Sequence, residues 1–454
     1  MKRISTRVIS FFKGLLRPVA KQTLLVYGVR ILWWLHLDSA ISRLIAFLVI
    51  SNNREECARP SSGVVLLAMD RRIFNDDKDA LRQYQKAHHL SYTILSYPSF
   101  VRALLTKAVW PAGFAVQTGF YAHRNHYREF TERMVRIYEG IMYFIEKQTG
   151  IRVRVILTGL IDYAQEYPWV FAIQKCGGVF VSLYKESIIY SKFYKEETVE
   201  IYTKAQFRYD GDAVLFYNEY AKDVFIAARA VTASQSFVTG CPRVDRLVEI
   251  SESPEAGQNQ EEPFILVAAF QDPSYGAATL WREVLQALYR DEILRTHITI
   301  KCRDVREIVT IKRSFPDFQV VTGPMEYFLA KRPRVLVGFN STSCLDALIA
   351  DVAVVVPWWA EASDLGLSSG RRMEEAALLS PATSTFHEIA YNREMLVGML
   401  HKYLDYGTKI PGEQHRGKKN SNLRKFIEEK YSALDGKNAE RFFRFLDHFL
   451  KNHD

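Results

Sequence analysis

Short runs of consecutive apolar, mostly β-branched residues recur along this chain. Between them lie stretches whose apolar residues fall three to four positions apart. The runs Gly63–Ala68, Leu90–Leu95, Val153–Leu157, Val179–Leu183 and Val214–Tyr217 predict buried strands, and Phe237 and Val238 close this half of the chain. Helices are predicted over Asp77–His88, Arg124–Thr149, Trp169–Lys175 and Ala221–Val231. The stretch Trp110–Thr118 has no clear period. The polar segment Ser251–Glu262 (SESPEAGQNQEE) interrupts the pattern and reads as a linker, after which it restarts. Strands are predicted at Phe264–Ala269, His297–Lys301, Phe318–Val321, Val335–Val337, Ala353–Val356 and Leu378–Pro381. Helices are predicted at Leu280–Tyr289, Met325–Ala330, over Leu345–Ile349 and at Phe386–Leu400, and a last amphipathic helix follows Ser421. Strands alternating with helices imply α/β domains with doubly wound parallel sheets, here two of them. The expected division is 1–60, a basic helical region and linker; 61–250, a first domain; 251–262, a linker; 263–410, a second domain; and 411–454, a helical tail.

The first fifty residues follow another pattern. Ile4, Val8, Phe11, Phe12, Leu15, Leu16 and Val19 share one helical face, and Lys2, Arg3, Arg7, Lys13, Arg17 and Lys21 the other, until Pro18 bends or ends the helix. The apolar stretch Leu24–Ile50 is broken by Arg30, His36, Asp38 and Arg43, which makes it a poor transmembrane helix. No small-residue cleavage site follows a short apolar core, so a secretory signal is not expected. Charge sharpens the reading. The 454 residues carry a net charge of +9, and the first fifty hold eight Lys and Arg against one Asp, or +7 of it. A basic amphipathic helix with aromatic residues suits an anionic membrane surface, and packing on the protein's own core is the competing reading. The rest of the chain is close to neutral, which argues against a nucleic-acid partner. Five dispersed cysteines without a CxxC pair indicate free thiols in a reducing compartment, and no metal site is expected.

Candidate chemistry lies where predicted strands end, because ligands of doubly wound sheets bind beyond the carboxyl ends of the strands. Asn340, Ser341, Thr342 and Ser343 sit between a strand and a helix. Free backbone N–H groups and small hydroxyls there suit a phosphate, although an ordinary capped helix has the same sequence. Lys301 and Arg303 end a strand of the same domain and supply cations at that edge. In the first domain, Asp70, Asp162, Lys185, Glu186, Asn218 and Glu219 follow strands, and His123 and His126 lie in a loop-like region. Helix capping is the plain alternative for Asp70 and Asn218, and a surface position for the histidines.

Four segments together resemble a known family. They are Thr239–Asp245 (TGCPRVD), Gly338–Ser343 (GFNSTS) with Leu345, Ala347 and Leu348, the strand end Lys185-Glu186, and Asp435–Arg441 (DGKNAER). In this order they resemble bacterial surface-polysaccharide transferases of capsule and lipopolysaccharide synthesis, which have the GT-B fold and are distantly similar to CDP-glycerol glycerophosphotransferases. Asp346 stands where those proteins usually have Glu. The resemblance covers about residues 63 to 450. It implies two Rossmann-like domains facing a cleft. It further implies a nucleotide-activated sugar held by the second domain, and transfer to a lipid-linked or growing glycan at the cytoplasmic face of the inner membrane, where the protein is peripheral. Many relatives continue their lysine strand as K-P-H-P, but here it reads Lys301-Cys302-Arg303-Asp304. The His-Pro that often contacts a donor phosphate is absent.

The reading is therefore a metal-independent glycosyltransferase that needs no cofactor beyond its nucleotide-sugar donor. Ser341, Thr342, Ser343, Asn340, Lys301 and Arg303 would hold the donor phosphates. Glu186, then Asp162, is the expected proton acceptor if the enzyme inverts. Lys185, Asp70, His123 and Glu219 are possible cleft residues on the acceptor side. A CDP-polyol phosphotransferase and a non-catalytic GT-B module remain alternatives.

Overall fold

The computed structural model describes residues 18–58, 63–71, 74–110, 127–184, 192–253, 263–270, 278–303, 305–339, 341–359, 379, 384–405 and 421–453. The chain opens with helices α1 (Pro18–Trp34), α2 (Asp38–Asn52) and α3 (Arg54–Ala58). The first sheet region follows as β1 (Val64–Met69), α4 (Asn75–Ala87), β2 (Tyr92–Tyr97), α5 (Ser99–Val109), α6 (Arg128–Thr149), β3 (Val153–Thr158), α7 (Tyr167–Lys175), β4 (Val179–Leu183), α8 (Lys192–Lys204), β5 (Ala213–Phe216), α9 (Glu219–Ala227), β6 (Ser236–Val238) and α10 (Pro242–Glu252). The second comprises β7 (Ile265–Ala268), α11 (Ala278–Arg290), α12 (Glu292–His297), β8 (Ile298–Cys302), α13 (Val305–Ser314), β9 (Gln319–Thr322), α14 (Met325–Ala330), β10 (Val335–Val337), α15 (Thr342–Ile349), β11 (Ala353–Pro357), β12 (Glu388–Ala390) and α16 (Arg393–Asp405). Helices α17 (Ser421–Lys430) and α18 (Asn438–Lys451) close the chain.

Each region builds a six-stranded sheet, in the orders β2-β1-β3-β4-β5-β6 and β12-β11-β10-β7-β8-β9. Every pairing is parallel, as in Leu66 opposite Ile94 and Val335 opposite Ile265. Helices cover both faces, so the strands read as continuous apolar runs rather than as an alternation. Successive side chains still point to opposite faces. Val65, Leu67 and Met69 pack with α2, α5, α6 and α7. Leu66 and Ala68 belong to a core that continues through Cys241, Val244 and Leu247 into the second sheet. The two sheets thus share apolar packing through α10.

The α5 segment holds Val101, Leu104, Leu105, Ala108 and Val109 in the core, but Arg102 and Lys107 blur its period. The linker expected at the end of residues 1–60 is partly helical, since α3 lies there, and Asn53 beside it is buried. The Asn53 Nδ2 donates to the carbonyls of Val49 at 2.7 Å and Ser96 at 2.8 Å. The predicted helix Phe386–Leu400 is instead strand β12 followed by α16. Most of the predicted strand Leu378–Pro381 lies outside the described residues. Pro18 is the first described residue of α1, and the helix it is expected to bend or end lies before it, outside the described residues. The predicted helix face Ile4–Leu16 lies outside the described residues.

The N-terminal helices are built onto the first sheet region. Arg133 of α6 donates to Asp38 at 2.8 Å and stacks 3.6 Å over the Trp33 ring. The Ser42 hydroxyl donates to the Ile137 carbonyl at 2.9 Å. Arg30 of α1 donates to the carbonyls of Lys107 at 2.8 Å and Ala108 at 3.3 Å, at the C-terminus of α5. The outer face of α1 and the turn after it leave Leu24, Tyr27, Ile31, Trp34, Leu35 and Leu37 exposed, Trp34 by 80%. Among the described residues no helix is long and apolar enough to cross a membrane.

Candidate site at the facing strand ends

The β10–α15 turn forms as its sequence predicts. Ser341 has extended backbone and caps α15, its hydroxyl accepting from the Ser343 N–H at 3.3 Å. Thr342 and Ser343 open the helix, and all three are half-buried. Apolar Leu345, Leu348 and Ile349 anchor the helix in the core. The turn therefore presents a helix N-terminus lined by small hydroxyls. Asn340 lies outside the described residues.

Strand β8 ends beside it, with only β7 between β8 and β10. Lys301 is half-buried near the end of β8. Burial pushes its ammonium below the ordinary lysine range, while the carboxylates of Asp76 and Asp346 pull it back up. Arg303 also acts on Lys301, and its backbone N–H donates to Glu307 Oε2 at 2.6 Å. Glu326, in the first turn of α14, is raised above the ordinary glutamate range by burial, helped by Asp76 and Asp346. Asp76 belongs to α4 of the first region, and Lys301 and Glu326 to the second. Their mutual electrostatic reach sets the start of α4 against the strand ends of the second sheet. Lys301 and Arg303 are placed at this edge by the strand they end, whereas Asp76 and Glu326 carry no mark in the sequence beyond being acidic residues in the first turn of a helix.

Beneath this edge the two regions are fastened by a buried polar network. Arg243 Nη1 donates to Asp346 Oδ2 at 2.6 Å, joining α10 to α15. Tyr431, just after α17, donates to Asp346 Oδ1 at 3.2 Å and accepts from Arg243 Nη2. Asp77 accepts from Tyr217 at 2.7 Å and from the Cys241 thiol at 3.4 Å. Asp245 accepts from the N–H groups of Asn438 at 3.0 Å and Ala439 at 2.8 Å, at the start of α18. Arg441 donates to the Thr239 carbonyl at 3.1 Å. The TGCPRVD and DGKNAER segments are thus two halves of one clasp. Helix α18 then runs along the first region, where Phe443 meets Tyr92 with ring centroids 4.9 Å apart and Phe445 meets Phe237 at 4.7 Å.

The described first-domain candidates follow strands of one parallel sheet: Asp70 follows β1, Asp162 follows β3, and Asn218 and Glu219 follow β5. Asp162 follows β3, is half-buried and accepts from the Tyr202 hydroxyl at 3.1 Å. Asp70 does not cap α4; it pairs with Lys78 of that helix. Asn218 does cap α9, accepting from the Ala221 N–H at 2.8 Å. Glu219 is exposed and pairs with Lys222 on its own helix. Lys185, Glu186, His123 and His126 lie outside the described residues. The described residues contain no cluster of side chains suited to a metal ion, and all five cysteines are free.

No family profile and no curated protein matches this sequence. Solved structures do. The wall teichoic acid polymerase TagF matches at a TM-score of 0.51 and 10% identity, over 95% of this chain and 98% of its own. A UDP-GlcNAc 2-epimerase from Neisseria meningitidis, bound to UDP-GlcNAc, gives a TM-score of 0.45 and 10% identity, covering 85% of this chain and 99% of that one. An α,α-trehalose-phosphate synthase from Burkholderia vietnamiensis gives 0.45 and 9%, covering 87% and 98%. At such identities the likeness is one of fold, and the TagF match carries it over nearly the whole chain. The protein has the GT-B fold, two Rossmann-like domains with their strand ends facing each other.

Proposed function

We propose that this protein is a glycosyltransferase that moves a sugar from a nucleotide-activated donor to a lipid-linked or growing glycan of the bacterial envelope. The observation that carries the reading is the meeting of the Ser341–Ser343 helix start with Lys301 and Arg303 at one edge of the second sheet. A helix N-terminus with small hydroxyls and two cations at that edge suit the diphosphate of a nucleotide sugar. The family resemblance of the TGCPRVD, GFNSTS and DGKNAER segments supports the same assignment. So does the fold, whose facing strand ends suit a donor on one domain and an acceptor on the other.

In this reading the acceptor hydroxyl attacks the anomeric carbon, and the bond from that carbon to the diphosphate oxygen breaks. Lys301, Arg303 and the α15 N-terminus take up the charge that gathers on the departing nucleotide. Metal is not required, since protein cations do this work. With inversion, a first-domain carboxylate takes the hydroxyl proton. Asp162 suits this by its position after β3 and its partial exposure, and Glu186 is the other choice. The exposed apolar face of α1, within the basic first fifty residues, supports peripheral attachment to an anionic membrane, on the cytoplasmic side where nucleotide sugars are found. Purified protein supplied with nucleotide sugars and a bacterial lipid extract should release free nucleotide, and Asp162→Asn should slow that release with little effect on donor binding. Release by wild type and variant at equal rates would remove Asp162 from the chemistry.

One observation favours a second reading, the transfer of a polyol phosphate. The structural match at a TM-score of 0.51 is to a teichoic acid polymerase. In that case attack would fall on phosphorus, and CDP-glycerol rather than a nucleotide sugar would be consumed. The Lys301-Cys302-Arg303-Asp304 sequence, without the His-Pro of relatives, weighs against it.

A further inference from the structure

The neighbouring strands β2, β1 and β3 end in a second group of charges, separate from the donor edge. Arg71 follows β1, Tyr97 ends β2, Thr158 ends β3, and Arg102 lies in the first turn of α5. Arg71 Nε donates to Glu166 Oε1 at 2.5 Å, and the Thr158 hydroxyl to Glu166 Oε2 at 2.5 Å. The Arg71 guanidinium lies 3.3 Å from the centroid of the Tyr163 ring. Burial, and next the charge of Arg71, push Arg102 below the ordinary arginine range. Two guanidiniums therefore share one carboxylate, and that carboxylate is already engaged on both oxygens.

Three donors remain. Arg71 Nη2, Arg102 Nη1 and the Tyr97 hydroxyl are buried without a hydrogen-bond partner. Arg71 is 6% exposed and Tyr97 2%, while Arg102 is half-exposed and opens the group to solvent. Buried unpartnered donors on charged groups are costly and call for an acceptor. The excess charge is positive, and Pro98 gives α5 no side-chain cap. An anion satisfies all of these, and a phosphate offers the several oxygens they require.

We infer that Arg71, Arg102 and Tyr97 form a phosphate-binding site that takes the phosphate or diphosphate ester of a lipid-linked acceptor. The inference rests on the acceptor being held by the first domain. The lipid origin follows from α5 itself. Arg102 stands near its start, and the Lys107 and Ala108 carbonyls near its end hold Arg30 of α1. At about 1.5 Å of rise per residue, only about 8 Å of helix separates them. The exposed face of Leu24, Tyr27, Ile31 and Trp34 lies on α1, so an apolar chain on that face reaches the arginines with its headgroup. Asp162, the proposed proton acceptor, precedes Tyr163 in the same β3–α7 connection, and Arg71 stacks over the Tyr163 ring.

The test is calorimetric titration of the full chain with farnesyl diphosphate, farnesol and inorganic pyrophosphate, in wild type, Arg102→Gln and Tyr97→Phe. Tyr97→Phe keeps the ring against Trp169, whose centroid is 5.3 Å away, and removes only the hydroxyl. Loss of one charged hydrogen bond predicts that Arg102→Gln raises the Kd for farnesyl diphosphate roughly 10- to 100-fold. Tyr97→Phe should raise it several-fold, and nucleotide binding should not change in either. A farnesyl diphosphate Kd within twofold of wild type in both variants overturns the site, and so does its displacement by nucleotide. Pyrophosphate binding as tightly as farnesyl diphosphate overturns the lipid origin. Variant-sensitive farnesyl diphosphate binding in a protein that binds no nucleotide upholds this site and defeats the glycosyl-transfer reading instead.

Discussion

Arg243 and Asp346 lie 103 positions apart in the chain and form a buried ion pair 2.6 Å long, one partner on the helix that leaves the first sheet and the other on the helix of the donor turn. Tyr431 completes the triad from the C-terminal region. Removing one member of a buried pair strands the other charge. Asp346→Ala should therefore lower stability by about 3–5 kcal/mol. The double variant Arg243→Met, Asp346→Leu, which strands no charge, should lose less than Asp346→Ala alone. Urea unfolding followed by tryptophan fluorescence measures both, and equal losses would mean that the pair matters through its shape alone.

Gly240 has a φ of +83°, and a Cβ built there would stand 1.8 Å from Asn438 Oδ1. Backbone conformation and space both demand glycine. Gly240→Ala should push Asn438 off Asp245 and loosen α18 from the first domain. Limited proteolysis should then cut between residues 431 and 438, where wild type resists. An unchanged digestion pattern would show that the clasp adapts.

The sheets were legible because buried parallel strands are written as unbroken apolar runs, and Val335–Val337 and Val179–Leu183 form as read. That a capped helix starts among Asn340, Ser341, Thr342 and Ser343 was legible too, since capping chemistry is local, while the choice of Ser341 came from the structure. Helices such as α5 and α13 were not, because charged residues that fold back on the strand ends or face solvent interrupt their apolar period. The charges around Lys301 were half legible. Strand ends announce themselves, but nothing local in Asp76 or Glu326 says that they face one another across two domains. The TGCPRVD segment drew notice by resemblance. Its physical role, a clasp closed by residues near 438, depends on contacts almost 200 positions away and has no local signature.

Lys301 offers a pH test. Burial lowers its pKa, so the free protein loses this positive charge at lower pH than an ordinary lysine would. A phosphate binds the charged form. Affinity for a nucleoside diphosphate should therefore fall as the pH rises toward the ordinary lysine value, earlier than for an exposed lysine. Lys301→Arg should flatten the fall, because arginine stays charged throughout. Titrations between pH 7 and 10 check this, and an identical slope in the variant would exclude Lys301 from the phosphate site.

The apolar face of α1 predicts where the protein meets a membrane. Ile31→Glu and Trp34→Glu change exposed residues, so folding should be nearly unaffected. Binding to vesicles containing phosphatidylglycerol should weaken at least about tenfold, since each change removes buried apolar area and adds a negative charge. Sedimentation with vesicles measures it. Unchanged binding would assign attachment to another surface.

The central claim is that the second domain holds a nucleotide-activated donor at the β10–α15 turn. Its most direct test is the melting temperature of the full chain with UDP, GDP, TDP, CDP and CMP and their sugar derivatives. One base should stabilise the protein, by roughly 2.7 kcal/mol at a hundred times its Kd. Replacing Ser341 and Thr342 together by Ala should abolish the shift, while costing only about 1 kcal/mol of stability from the lost cap. No shift with any nucleotide, or a full shift in the double variant, would contradict the account.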